Sequence, residues 1–136
     1  MTSILTARDC QKAASQRLTT AEFLLEHDYT LDAYYLAGYA VECALKSLIM
    51  HLTPEKTRGA AFKRLKGVAQ MHYPEHLKEE LKQLNQPLPL ELVRGFRRFE
   101  WTTALRYESG RRTRSEVRGY LKVVTLAIRW TEEVRG

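Results

Sequence analysis

Tyr34-Tyr35-Leu36-Ala37-Gly38-Tyr39-Ala40-Val41-Glu42-Cys43-Ala44-Leu45-Lys46-Ser47-Leu48-Ile49 is the stretch that decides the fold of this chain. Its apolar side chains, among them Tyr34, Leu36, Val41, Leu45, Leu48 and Ile49, fall on nearly every side of a helix. A helix that is apolar all round is surrounded by protein. The helix is expected from Leu31 to Leu52, with Thr30 as N-cap because its hydroxyl can accept an orphan backbone N–H. The polar groups are not scattered: Tyr35, Tyr39, Glu42 and Lys46 step by four, three and four, so they draw one buried or interfacial stripe. Glu42 stands four residues before Lys46, the better orientation for an ion pair within a helix.

Outward from this centre the chain reads as helices throughout. From Thr6 to Glu26, apolar residues recur at Cys10, Ala14, Leu18, Ala21 and Leu25 and draw one stripe. His27, Asp28 and Tyr29 interrupt the pattern and form a short turn. Beyond Leu52, Thr53-Pro54 reads as N-cap plus first-turn proline of a short helix closed by Gly67. A second short helix starts near Pro74, aligns Leu77, Leu81 and Leu84, and stops at Asn85, Pro87 and Pro89. Residues 53–89 thus form a basic, less regular insertion. A helix from Leu90 to about Leu105 turns Leu92, Phe96 and Phe99 inward and Arg94, Arg97 and Arg98 largely outward. Thr113 and Glu116 have capping-box spacing for a last helix, with Val117, Tyr120, Leu121, Val124 and Ile128 inward and Trp130 near its end. No segment alternates with the two-residue period of a strand. The expectation is an all-α, antiparallel up-and-down bundle of four to five main helices, one domain over residues 1–136.

Composition narrows the class. With 44% apolar and 28% charged residues, 7 Gly and 4 Pro, the chain is neither disordered nor collagen-like. The uncharged run Ala33 to Val41 is far short of the roughly 20 residues that cross a bilayer. Met1 to Cys10 lacks a basic segment followed by an apolar one, so no signal peptide is expected, and the expected compartment is the cytoplasm. Cys10 and Cys43 are the two cysteines; with no C-x-x-C spacing they read as small core residues rather than a disulfide or a zinc site. No cofactor is expected.

The net charge of +6 is uneven. Residues 1–52 carry 4 Lys/Arg and 6 Asp/Glu, whereas residues 53–136 carry 18 and 10. Between Arg94 and Arg118 stand 8 arginines, no lysine, and three acids, Glu100, Glu108 and Glu116. Either an anionic partner or a solvated face with Arg stems covering apolar surface accounts for such a stretch.

The run Ala40, Glu42, Ala44, Leu45 and Lys46 resembles the second helix of HEPN domains, in which an Ala-x-Glu-x-Ala-Leu-Lys-like run follows a small residue. Ala21-Glu22-Phe23-Leu24-Leu25 looks like the end of the family's first helix. Leu105-Arg106-Tyr107 before one final helix is similar to its C-terminal half. The resemblance covers most of the chain and is weakest over residues 53–89. It implies a helical bundle, usually dimeric, often encoded beside a small nucleotidyltransferase or acting on RNA in toxin–antitoxin and defence systems. Nuclease members carry an Arg followed four to six residues later by a His. Here His27, His51, His72 and His76 all precede the Arg-rich stretch, and Arg64 to His72 is too long a step, which argues against ribonuclease chemistry.

The binding candidates are Arg98, Arg106, Tyr107, Arg111 and Arg112, because guanidinium groups fork onto phosphate oxygens and a neighbouring phenol stacks on a base. The structural alternatives are that Tyr107 fills the bundle end and that Arg106 pairs with Glu42. Glu42 and Lys46 are read as a polar network, since a charge in an apolar helix needs a partner. Tyr35 and Tyr39 read as core or dimer interface. His72 and His76, four apart with Pro74 between them, are weak metal candidates, and an acid/base role for His72 beside Arg98 or Arg106 is the enzymatic alternative. No Gly-rich phosphate loop or nucleophile elbow is present. The leading expectation is a non-catalytic nucleotide- or RNA-binding module, homodimeric, paired with a nucleotidyltransferase. The alternatives are a divergent HEPN ribonuclease and a homodimeric interaction module without nucleic-acid contact.

Overall fold

The structure is a computed structural model that describes residues 6–67 and 72–136; residues 68–71 of the basic insertion and the start of the N-terminal segment lie outside the described residues. Helix α1 (Ala7–Glu26) is followed by α2 (Thr30–Leu52), α3 (Glu55–Gly67), α4 (Pro74–Gln83), α5 (Leu90–Arg98), a 3-10 segment (Thr103–Tyr107) and α6 (Arg114–Arg135). No strand occurs among the described residues, so the all-α bundle is the fold.

Helix α2 is the axis. Fourteen of its 23 residues are buried, and α1 and α6 pack along it and against each other while α3 and α4 cover its other flank. Helix α1 begins with a complete capping box, in which Thr6 Oγ1 accepts from the Asp9 backbone N–H and Asp9 accepts from the Thr6 backbone N–H. The Thr6 backbone N–H and then its hydroxyl, both donating to Asp9 Oδ2, hold that carboxyl below its ordinary range. The turn after α1 places Asp28 in the left-handed region at φ 66° and brings the chain straight back as α2. Ala14 and Ala21 of the α1 stripe are fully buried; small residues there let the two helices lie close. Leu77 and Leu81 of α4, and Ala61 and Leu65 of α3, are buried by the same core.

Three expected boundaries differ, each for a tertiary reason. Thr30 is the first residue of α2 with Tyr29 as its N-cap; the Thr30 hydroxyl instead accepts the Arg112 backbone N–H at 3.0 Å, tying the α6 entry to the α2 start. Thr53 closes α2 rather than opening α3, donating its hydroxyl to the Ile49 carbonyl at 2.6 Å. The expected helix from Leu90 to Leu105 breaks after Arg98. The chain extends through Phe99 and Trp101 before the 3-10 segment. The break lets Trp101 reach α2, where its indole N–H donates to the Tyr35 carbonyl at 3.0 Å and its ring lies on Gly38: a Cβ at that position would sit 2.0 Å from Trp101 Cε2. The Tyr34 hydroxyl donates to the Glu100 carbonyl in the same extended segment. A backbone carbonyl freed from helical bonding is thus satisfied by a core phenol. Among the described residues, no helix is long and apolar enough to cross a membrane.

Candidate functional site

The polar stripe of α2 closes on itself. Glu42 Oε2 is 2.8 Å from Lys46 Nζ, and Glu42 Oε1 is 3.0 Å from His72 Nδ1. Glu42 and Lys46 are only 12% and 13% exposed, so their charges are compensated in place, as a buried charge requires. The partner from outside α2 is His72, thirty residues on, and not Arg106 as the sequence suggests. Tyr35 and Tyr39 join hydroxyls at 3.2 Å and pack against Trp101 with ring centroids 6.1 and 5.0 Å away. Burial, then the hydrogen bond with Tyr35, pushes the Tyr39 phenol up to about 12.

The two cysteines carry no activated thiol: burial raises both, Cys43 to about 11, so the thiolate is scarce at neutral pH. His76 is exposed on α4 while His72 precedes that helix, so the two do not share a face. Among the described residues, no three His, Cys, Asp or Glu side chains gather as a metal site would need.

The five binding candidates fall in three separate places. Arg106 and Tyr107 stand on the 3-10 segment. The Arg106 guanidinium lies 4.9 Å from the Tyr107 ring centroid, and Tyr107 is 79% exposed, so it does not fill the bundle end. Arg111 lines a depression of about 580 Å³ at the α1–α2 turn, shared with Asp28, Asp32 and Glu108. Arg98 and Arg112 line a third, larger hollow between α5 and α6.

That hollow is a groove of about 1120 Å³ lined by Arg94, Arg97 and Arg98 from α5, Arg118 and Lys122 from α6, and Arg112 from the loop between them. Spacing explains it. Leu92 and Phe96 of α5 and its C-cap Phe99 pack toward the core and leave Arg94, Arg97 and Arg98 on the opposite side. The last turn of a helix also favours cations, where Arg97 and Arg98 stand. Two glycines let the helices meet: a Cβ on Gly95 would come within 2.7 Å of Val123 Cγ1, and one on Gly119 within 2.8 Å of Phe99 Cζ. The two rows of cations are therefore drawn together by missing side chains.

Within this groove the cations differ in commitment. Arg112 is engaged: Nη1 is 2.8 Å from Glu116 Oε1, Nη2 is 3.6 Å from Glu108 Oε1, and the guanidinium lies 4.4 Å from the Tyr34 ring centroid. Burial pushes the Tyr34 phenol up to about 12 despite that arginine. Arg94, Arg97, Arg98, Arg118 and Lys122 have no ion-pair partner among the described residues. Sequence reasoning singled out Arg98 alone of these five as a site residue. The signal for Arg94, Arg118 and Lys122 was the i, i+4 step from Arg94 to Arg98 and from Arg118 to Lys122 beside a glycine on each helix.

The family model for the HEPN domain matches residues 7–134. No curated protein and no solved structure matches the chain.

Proposed function

This chain belongs to the HEPN domain family, and from that premise we propose that it is an RNA- or nucleotide-binding module without chemistry of its own, holding its ligand in the α5–α6 groove. The observation that carries the reading is the set of five cationic side chains in one groove with no ion-pair partner among the described residues. Holding so many like charges side by side costs energy, and a polyanion relieves it while releasing its own counterions. Arg106 and Tyr107 supply a second, exposed contact suited to stacking a base. The family resemblance adds a homodimer and a nucleotidyltransferase partner in a toxin–antitoxin or defence setting; sedimentation of the purified protein and its co-purification with such a partner test those two.

The test of the main reading is retention of a mixed RNA pool at low and moderate salt, with cleavage followed on the same samples. Retention should fall as salt rises, should drop in an Arg98→Ala/Arg118→Ala double variant that keeps its helical circular dichroism, and should come without cleavage. Unchanged retention in that variant overturns the groove assignment.

A specific observation also favours the enzymatic alternative, a divergent ribonuclease. His72 is held at Nδ1 by Glu42, the arrangement that orients an imidazole for proton transfer, and the charge of Arg106 acts on the neighbouring Tyr39. Cleavage of the pool that disappears in both His72→Ala and Arg106→Ala would establish that reading in place of the first.

A further inference from the structure

The glycine contacts between α5 and α6 fix how the cations pair. Gly95 faces Val123, and Gly119 faces Phe99, so residue numbers rise along one helix as they fall along the other. Arg94 beside Gly95 therefore stands across from Lys122 beside Val123, and Arg98 beside Phe99 stands across from Arg118 beside Gly119. The two pairs form rungs four residues apart on each helix, about 6 Å along the axes.

Resting on the reading of this groove as an RNA-binding site, we propose that it is a two-phosphate clamp for one unpaired strand, each rung gripping one of two consecutive phosphodiesters. Three features carry this. The rung spacing matches the step between neighbouring phosphates of an extended strand, and is too long for the two bonded phosphates of a diphosphate. The groove is a furrow over helices whose axes, at a glycine contact, are roughly 8 Å apart, so its two cation rows flank a single strand closely, while a duplex is too wide to settle between them. The row of cations is also short: Glu91 precedes Arg94 and Glu100 follows Arg98, both lining the same groove. Carboxylates at its ends repel a third phosphate, so the site is a clamp and not a long electrostatic track. Sequence readout is left to other contacts, since the floor between the rungs is Gly95, Gly119, Val123 and Phe99.

The experiment measures affinities of the purified protein for UpU, UpUpU and octauridylate, each lacking terminal phosphates, with a duplex octamer and inorganic pyrophosphate as competitors. UpUpU is the shortest of these with two phosphodiesters. Affinity should rise sharply from UpU to UpUpU and then gain only the statistical number of registers in the octamer. Its logarithm should fall with log salt at a slope of about −1.4, the value for two phosphates of a single strand. Removing either rung, by Arg94→Ala/Lys122→Ala or by Arg98→Ala/Arg118→Ala, should cut that slope to about −0.7. Duplex and pyrophosphate should compete poorly.

Binding that disappears with the rungs but keeps strengthening with length, carries a slope near −3, or yields equally to pyrophosphate or duplex overturns the clamp and leaves the RNA-binding reading standing. Single-strand binding unaffected by either rung variant overturns both.

Discussion

Charged residues meet opposite fates in two regions of this molecule. On the α2 stripe, Lys46 and His72 each pair with Glu42 within 3.0 Å, and Glu42 and Lys46 are largely shielded from solvent. In the α5–α6 groove, five exposed cations converge without an ion-pair partner among the described residues. The first arrangement is what a core does with a charge it cannot solvate; the second adds little to stability, since exposed cations of one sign gain nothing from one another. Partnering, rather than residue type or clustering, separates a structural charge from an available one.

The comparison can be broken at three points. The largest effect is expected at Gly38, where α2 meets Trp101. Gly38→Ala would place a Cβ inside the indole, and overpacking of that severity costs about 3 kcal/mol or more. A urea titration should show the loss in its midpoint, and an unchanged midpoint would mean that Trp101 does not seat on α2. Next is Glu42→Ala, which leaves Lys46 facing an apolar helix. About 2 kcal/mol is expected from deserting a mostly buried charge, with most of it restored in a Glu42→Leu/Lys46→Leu double variant. If the single change costs nothing, the stripe is not a closed network. Smallest is the effect of the groove cations on folding. Arg98→Ala/Arg118→Ala should alter stability by less than about 0.5 kcal/mol while reducing RNA retention, and a large destabilisation would return those arginines to a structural role.

Much of the fold was legible in the sequence, because burial of α2 on all sides and the one-sided stripes of α1 and α6 are periodic signals that local geometry alone produces. Asn85 and the prolines after it ended α4 as expected. The end of α5 was not legible. Nothing near Phe99 breaks a helix; the break exists because Trp101 has a seat on Gly38, sixty-three positions earlier. The α2 charges read as a network, yet His72 could not be named as its third member, since a contact between residues thirty positions apart leaves no periodic signal in the sequence.

The site was legible by composition and not by arrangement. An arginine-rich C-terminal half was plain, and Arg98 was singled out, but Arg94 and Arg97 read as largely outward, Arg118 only as the end of the arginine-rich stretch, and Lys122 gave no signal. The sequence by itself determined that this chain is an all-helical bundle around one apolar helix, with its positive charge toward the C-terminus, because helical period and composition are local properties. Only the tertiary structure decided which charges are neutralised and which are left exposed, by bringing α5 antiparallel to α6 at Gly95 and Gly119, since pairing depends on distance in space and no spacing along the chain encodes it.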